Sequence, residues 1–183
     1  MNNITATTNT PLRRTLYSSP IGELTLVGSD RGLRAILWPE ERVGRVRLDH
    51  DPVEADHPVF APTTTQLDEY FSGDREGFDL SLDPVGTDFQ LAVWEQLLAI
   101  PFGETRSYGW IANHLGRPGA ARAVGSATGS NPISIVIPCH RLVGANGAMT
   151  GFAGGIETKR WLLEHESALR PLPGVGGHDS TDG

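Results

Sequence analysis

The segment Asp83-Pro84-Val85-Gly86 divides this 183-residue chain into two stretches of different character. Proline lacks a backbone donor and glycine is conformationally free, so the segment is typical of a linker. Apolar residues alternate at strand spacing before it and recur at helical spacing after it. The length suffices for two small domains. We therefore predict two domains, residues 1–84 and 85–170, and a disordered tail over residues 171–183.

The first stretch is expected to form a small antiparallel sheet. The turn-like segments Ser19-Pro20-Ile21-Gly22 and Asp30-Arg31-Gly32 join its strands. The predicted strands cover residues 15–18, 24–27 and 33–38. Two helices are predicted next, over residues 40–48 and 63–71, and an acidic connection over residues 49–62 joins them. A short strand is predicted over residues 79–82.

The second stretch is predicted to be mostly helical. Thr87 and Gln90 have the spacing of a capping box, and apolar residues then recur at helical intervals as far as Ile100. Two short helices, over residues 107–115 and 120–128, flank a glycine turn. This is helix-turn-helix spacing, although many helical hairpins that bind nothing share it. A buried strand is predicted over residues 133–137, a glycine-rich loop over residues 144–155 and a final helix over residues 156–169.

The net charge of -7 is distributed unevenly along the chain. Residues 1–86 hold eight arginines against 14 acidic residues. The segment from Thr105 to Ile156 contains no acidic residue and four arginines. That segment could approach phosphates without repulsion, but charge alone fits an ordinary surface equally well.

A single cysteine excludes an internal disulfide framework and a multi-cysteine zinc site. No segment has the apolar length of a membrane span, and the polar N-terminal residues lack a signal-peptide core. We therefore expect a cytoplasmic protein that has no membrane partner.

Cys139 lies where Pro138 ends an apolar run, and His140-Arg141 follows it. A lone buried cysteine is usually an inert small apolar residue. Ionisable and cationic neighbours favour the thiolate, which is the reactive form. The residues alone leave both interpretations open.

Glu166 occupies the face of the final helix that Leu162 and Leu163 predict to be buried. A buried carboxylate needs a partner, and His140 is a candidate. The alternative is that Glu166, near the helix end, reaches water. Cysteine, histidine and a carboxylate together can generate a thiolate, which would also suit a thiol hydrolase.

Several motifs, in order, carry a family resemblance. The chain closely resembles the 6-O-alkylguanine-DNA alkyltransferases, or methylated-DNA–protein-cysteine methyltransferases, in Gly119-Ala120-Ala121-Arg122-Ala123-Val124-Gly125 and Ile137-Pro138-Cys139-His140-Arg141. The match continues through Ser107-Tyr108, Asn131-Pro132, Gly154-Gly155 and Trp161-Leu162-Leu163-Glu164-His165-Glu166. It is dense over about residues 87–167 and looser at residues 19–22.

The resemblance implies an α+β fold, with a small ribonuclease-H-like N-terminal domain and a mostly helical winged-helix C-terminal domain that carries the helix-turn-helix. It implies stoichiometric transfer of the alkyl group from O6-methylguanine, with O4-methylthymine as a second candidate lesion, to Cys139 after base flipping. The expected partner is double-stranded DNA carrying alkylated guanine. The protein is expected to be a monomer that uses no cofactor and no metal.

The resemblance also assigns roles to single residues. The implied catalytic residues are Cys139, His140, Glu166, Asn131 and Tyr108. The implied DNA-binding residues are Arg122, Tyr108, Ala121, Gly125 and Ser126. The implied substrate pocket consists of Leu142, Phe152, Ala153 and Gly154. In this family Asn131 would brace the turn that holds Cys139, and His140 would link Cys139 to Glu166 through a water.

The loop before Gly154-Gly155 departs from better-known relatives, which often have a tyrosine and a serine or glycine where this chain has Phe152 and Ala153. Phe152 can stack but donates no hydrogen bond, and Ala153 offers only its backbone N–H. The sequence therefore does not predict the width of the pocket. Two other hypotheses are a thiol hydrolase that uses Cys139 and His140, and a non-catalytic winged-helix DNA-binding protein.

Overall fold

The computed structural model describes residues 11–48 and 51–169, so the predicted tail lies outside the described residues. Its main sheet begins with the antiparallel meander that the sequence predicts, made of β1 (Arg13–Ser19), β2 (Gly22–Ser29) and β3 (Gly32–Leu37). A two-residue strand, β4 (Val53–Glu54), pairs in parallel with β1. This strand lies in the segment that was expected to be only a connection.

The described residues also form five α-helices. They are α1 (Phe60–Ser72), α2 (Asp88–Leu98), α3 (Tyr108–His114), α4 (Ala121–Gly129) and α5 (Ile156–Leu169). The predicted capping box is confirmed, because Thr87 accepts from the backbone of Gln90 and the Gln90 side chain accepts from the backbone of Thr87. Two short parallel strands, β5 (Arg106–Ser107) and β6 (Leu142–Val143), flank the helix-turn-helix.

The predicted helix over residues 40–48 is wrong, because this segment forms turns. Gly44 has a φ of 79°, a left-handed conformation that interrupts a helix. The turns bury the side chain of Arg45, which donates to the backbone carbonyls of Ile36 and Asn131 and pairs with Glu41. Tertiary hydrogen bonding therefore overrides the local helical pattern.

The two remaining short strands were also predicted wrongly. Residues 133–137 make only isolated bridges, from Ile133 to Ile36 and from Ser134 to Ile137. Between them Ile135 has a φ of 76°, which an extended strand does not allow. Of residues 79–82, only Leu82 forms a bridge, with Leu33.

One hydrophobic core joins the two stretches. It includes Leu26 and Ile36 from the sheet, Leu67 from α1, Trp94 from α2 and Ile137 from the turn before Cys139. The predicted domains therefore pack closely on each other, and the boundary at residue 84 stays a prediction. In the part of the chain that the structure describes, no helix is long and apolar enough to cross a membrane.

A buried ion pair fixes the end of the first stretch. Arg34 is 1% exposed and donates to Asp83 from Nε and Nη2, at 3.0 and 2.6 Å. The hydroxyl of Ser29 donates to the same carboxylate oxygen at 2.6 Å. This carboxylate therefore holds the linker against the sheet.

We predict that Asp83→Ala lowers the free energy of unfolding by about 3 kcal/mol, because it removes this carboxylate from a buried guanidinium. Urea denaturation measures the change. Glu157→Ala breaks the exposed pair with Arg160 on α5 and is expected to cost less than about 1 kcal/mol. Equal losses in the two variants would contradict this account of the buried pair.

Candidate active site

A cleft of about 620 Å³ opens between the helix-turn-helix and the glycine-rich loop. The helix-turn-helix contributes Tyr108, Ala121, Arg122, Gly125 and Gly129 to its walls. The opposite wall is the segment from Thr150 to Ala153, and the first stretch of the chain adds Arg42 and Arg45. The deep end narrows to about 30 Å³ around Asn131, Ser134 and Cys139. The only cysteine therefore lies at the bottom of the cleft.

A turn of defined hydrogen bonds presents Cys139. Asn131 Nδ2 donates to the carbonyl of Ile137 at 2.8 Å, and Asn131 Oδ1 accepts from the backbone of Ile133 at 3.0 Å. The N–H of Cys139 donates to the carbonyl of Ile137 at 2.8 Å, and a short 3-10 turn begins at Cys139. The sulfur-bearing residue is 5% exposed. Asn131 therefore makes the contacts expected of a brace.

Burial raises the pKa of the Cys139 thiol above its ordinary value. The Asn131 amide, the Arg45 guanidinium, the Ser134 hydroxyl and the Lys159 ammonium oppose that rise, in this order. Arg141, the cationic neighbour expected to favour the thiolate, pairs with Glu166 instead. The resting group is therefore a neutral thiol with stabilising donors around it.

His140 is fully buried and pairs with Glu166, which is the first of the two alternatives that the sequence left open for this carboxylate. The distance from His140 Nε2 to Glu166 Oε1 is 2.7 Å. Burial lowers the pKa of His140, although the neighbouring Glu166 carboxylate opposes this. A neutral ring that donates from Nε2 has its lone pair on Nδ1, and Nδ1 has no hydrogen-bond partner among the described atoms. His140 is therefore equipped to accept a proton at Nδ1.

Glu166 accepts hydrogen bonds from three parts of the chain. Arg141 donates from Nε at 2.9 Å and from Nη2 at 3.0 Å, Tyr70 from its hydroxyl at 2.9 Å, and Gly103 from its backbone at 3.1 Å. Burial alone would raise the pKa of Glu166, but the bonds from His140 and Arg141 lower it to about 2. The carboxylate is thus a buried permanent anion that holds the imidazole in one orientation.

The hydroxyls of Tyr108 and Thr150 share a hydrogen bond of 2.7 Å across the cleft. Phe152 and Ala153 line the cleft as the resemblance implies. Leu142 and Gly154 do not line it: Leu142 is buried in β6, and Gly154 lies flat against the indole of Trp38. These two predicted pocket residues therefore act, in this structure, as support for the loop.

The helix α4 carries four predicted DNA-binding residues, and three of them, Ala121, Arg122 and Gly125, line the cleft. Arg122 and Ser126 are exposed, while Ala121 and Gly125 are half-buried. Small side chains at these two positions leave room for close approach of another molecule. Ser126 lies outside the cleft lining.

Sequence reasoning missed several residues of the site. Lys159 is fully buried and donates to the carbonyls of Leu142 at 2.6 Å and Thr150 at 3.1 Å. Its spacing from Leu162 and Glu166 on one helix face could have revealed it. No local signal marks Arg45 or Tyr70, because an irregular turn and α1 bring them to the site from the other stretch. In the described ranges, no three His, Cys, Asp or Glu side chains are grouped as metal ligands.

Comparisons with known proteins agree with this geometry. Residues 12–84 match the family model described as the ribonuclease-like domain of 6-O-methylguanine DNA methyltransferase, and residues 88–168 match its DNA binding domain. A methylated-DNA–protein-cysteine methyltransferase of Mycobacterium tuberculosis is 50% identical over 153 residues, or 84% of this chain and 91% of the relative. One of Methanosarcina acetivorans is 42% identical over 153 residues, covering 84% and 97%.

Solved structures give the same result. The crystal structure of Mycobacterium tuberculosis OGT in complex with DNA is 48% identical, with a TM-score of 0.77, and the match covers 88% of this chain and 95% of that one. The crystal structure of Mycobacterium tuberculosis O6-methylguanine methyltransferase is 46% identical with the same TM-score of 0.77, covering 88% and 96%. These matches confirm the resemblance and the predicted α+β fold, in which a ribonuclease-like part precedes a DNA-binding part.

We predict that Glu166 makes stability depend on pH in a defined acid range. Its folded pKa, about 2, lies below the ordinary value of 4.5. The stabilisation is therefore fully present above about pH 4.5 and is lost as the pH falls towards 2. Urea denaturation across this range should show a shallower acid loss in Glu166→Gln than in the unaltered protein. Glu164→Gln, at an exposed position on the same helix, should keep the original slope, and an unchanged slope in Glu166→Gln would contradict the assignment.

Proposed function

Because this chain belongs to the 6-O-methylguanine DNA methyltransferase family, we propose that it repairs DNA by direct reversal, moving the alkyl group of 6-O-methylguanine in DNA onto Cys139. The observation that carries the proposal is the position of the only cysteine. Cys139 lies at the bottom of a cleft with a helix-turn-helix as one wall. A reactive group at the bottom of a DNA-facing cleft fits chemistry on a base, not on the phosphate backbone.

The buried thiol requires base flipping in this proposal. Cys139 is 5% exposed, so the methyl carbon of a stacked guanine cannot reach the sulfur. The base leaves the duplex and enters the cleft, at a cost of a few kcal/mol for unstacking. Arg122, exposed on α4, enters the duplex and fills the space that the base leaves. Ala121 and Gly125 permit close contact with the backbone, and Ser126 adds a polar contact there.

The transfer step uses the residues around the sulfur. The proton of the Cys139 thiol passes through a water to Nδ1 of His140, and Glu166 stabilises the imidazolium that forms. The thiolate attacks the alkyl carbon, an S–C bond forms, and the C–O bond breaks with its electron pair going to guanine. Tyr108 donates a proton to the departing base. The product is a thioether, which has no ready route back to a thiol, so each molecule reacts once.

The proposal also covers the fold of the C-terminal part, the DNA partner, the oligomeric state, the cellular location and the width of the pocket. The C-terminal part is a winged helix in which β5 and β6 flank the helix-turn-helix. The partner is double-stranded DNA carrying alkylated guanine, bound by a monomer in the cytoplasm. The acid-free segment from Thr105 to Ile156 supports DNA binding despite the negative net charge. Phe152 and Ala153 on the loop wall set the width available to the alkyl group.

We predict that Cys139→Ser abolishes alkyl transfer but keeps binding to methylated duplex within about threefold. A serine hydroxyl is far less acidic than a thiol, so it gives no nucleophile at neutral pH. Release of radioactive methyl from the duplex measures transfer, and fluorescence anisotropy measures binding. Dealkylation by the serine variant would refute the mechanism.

Replacing Arg122 should slow repair of duplex DNA without harming the chemistry. We predict that Arg122→Ala lowers the single-turnover rate on methylated duplex about tenfold, the equivalent of one lost charge-assisted contact. Reaction with the free base 6-O-methylguanine should be unchanged, because no base has to leave a stack. Arg160→Ala, which removes a partly exposed arginine of α5 that does not line the cleft, is the matched control and should change neither rate. Equal slowing of Arg122→Ala on both substrates would remove Arg122 from base flipping.

A further inference from the structure

Ser134 carries a buried hydroxyl on the wall of the pocket that holds Cys139. The residue is 0% exposed, and its Oγ has no hydrogen-bond partner among the described atoms. Buried polar groups are almost always paired, so an unpaired one in a native structure calls for a functional explanation. Ser134 lies at the deep end of the cleft, together with Cys139.

The backbone around Ser134 is strained in a way that fixes this position. Ile135, the next residue, is the one non-glycine residue with a positive φ in the described ranges, at 76°. Ser134 also bridges to Ile137, just before the turn that presents Cys139. Strain of this kind persists where the surrounding structure enforces it, and it is concentrated at functional sites. The turn thus holds Ser134 in the same narrow pocket as Cys139.

Other groups that face the sulfur already have partners. The Asn131 amide donates to the carbonyl of Ile137, and the Lys159 ammonium donates to two backbone carbonyls. The Arg45 guanidinium is held by Glu41 and by the carbonyls of Ile36 and Asn131. The Ser134 hydroxyl is the donor in this group with no bond of its own.

We propose that Ser134 is a catalytic residue, whose hydroxyl donates a hydrogen bond to the Cys139 sulfur when the thiol becomes a thiolate. This inference rests on the proposed function and deepens it. In the thiol form the hydroxyl has no strong acceptor, whereas the thiolate supplies one. An interaction that forms only as charge develops lowers the barrier to reaction without stabilising the resting state. The hydroxyl also opposes the rise that burial causes in the pKa of Cys139.

The single cysteine makes a direct test possible in the whole protein without DNA. Thiolate absorbance in the ultraviolet, measured across pH against Cys139→Ser as blank, reports only this residue. We predict that Ser134→Ala raises the pKa of Cys139 and that Ser134→Thr, which keeps a hydroxyl, restores it. Ser134→Ala should not lower the thermal midpoint, because it removes an unsatisfied polar group. Ser130→Ala, in the same loop, removes a hydroxyl bonded to the Ser126 carbonyl and should leave the titration unchanged.

The same variants are then tested in alkyl transfer. Ser134→Ala should lower the single-turnover rate on methylated duplex at neutral pH about tenfold, or about 1.4 kcal/mol, with unchanged DNA affinity. An unchanged titration, or a shifted titration with an unchanged rate, would overturn the proposal. If the unaltered protein transfers no alkyl group, the proposed function fails, and the titration still decides whether Ser134 bonds the thiolate.

Discussion

The buried carboxylate of Glu166 is the interaction on which the rest of the site depends. Through His140 and Arg141 it joins α5 to the turn that carries Cys139. Through Gly103 it joins α5 to the backbone after α2, and through Tyr70 to α1 of the first stretch. A buried charge is tolerated only when it is paired and fully hydrogen-bonded, so these elements cannot move apart without a large cost. The same bonds orient the imidazole and place its free lone pair at Nδ1.

The surroundings of Cys139 have two opposing effects on its thiol. Burial keeps the sulfur neutral and unreactive in the resting protein, because desolvation raises the pKa of the thiol. The same pocket also surrounds the sulfur with donors and cations that stabilise the thiolate once the proton leaves. Under the proposed function, a protein that reacts once gains from both, since its only cysteine is protected until a lesion occupies the cleft. The first stretch of the chain takes part directly, through Arg45 and Tyr70, and is more than a brace.

The sequence predicted those parts of the site that local patterns encode. The helix-turn-helix follows from a glycine turn between two helical segments, and the capping box follows from residue spacing. The helix face of Glu166 left open whether this carboxylate is buried or reaches water. The turns over residues 40–48 could not be predicted, because Arg45 is held by carbonyls distant in the chain. The same holds for the turn around Ile135, whose positive φ opposes the strand preference of a β-branched residue. Long-range packing decides both, and each lies beside the sulfur.

Intact mass tests the central claim most directly. The protein is mixed with a duplex that carries one 6-O-methylguanine, weighed by mass spectrometry, and digested to map the modified peptide. The account predicts a gain of one methylene group on the peptide that contains Cys139, saturating at one per protein molecule, while the duplex regains guanine. An unchanged protein mass with restored guanine would contradict it by showing turnover, and an unchanged mass with the lesion intact would leave a DNA-binding protein that does not repair.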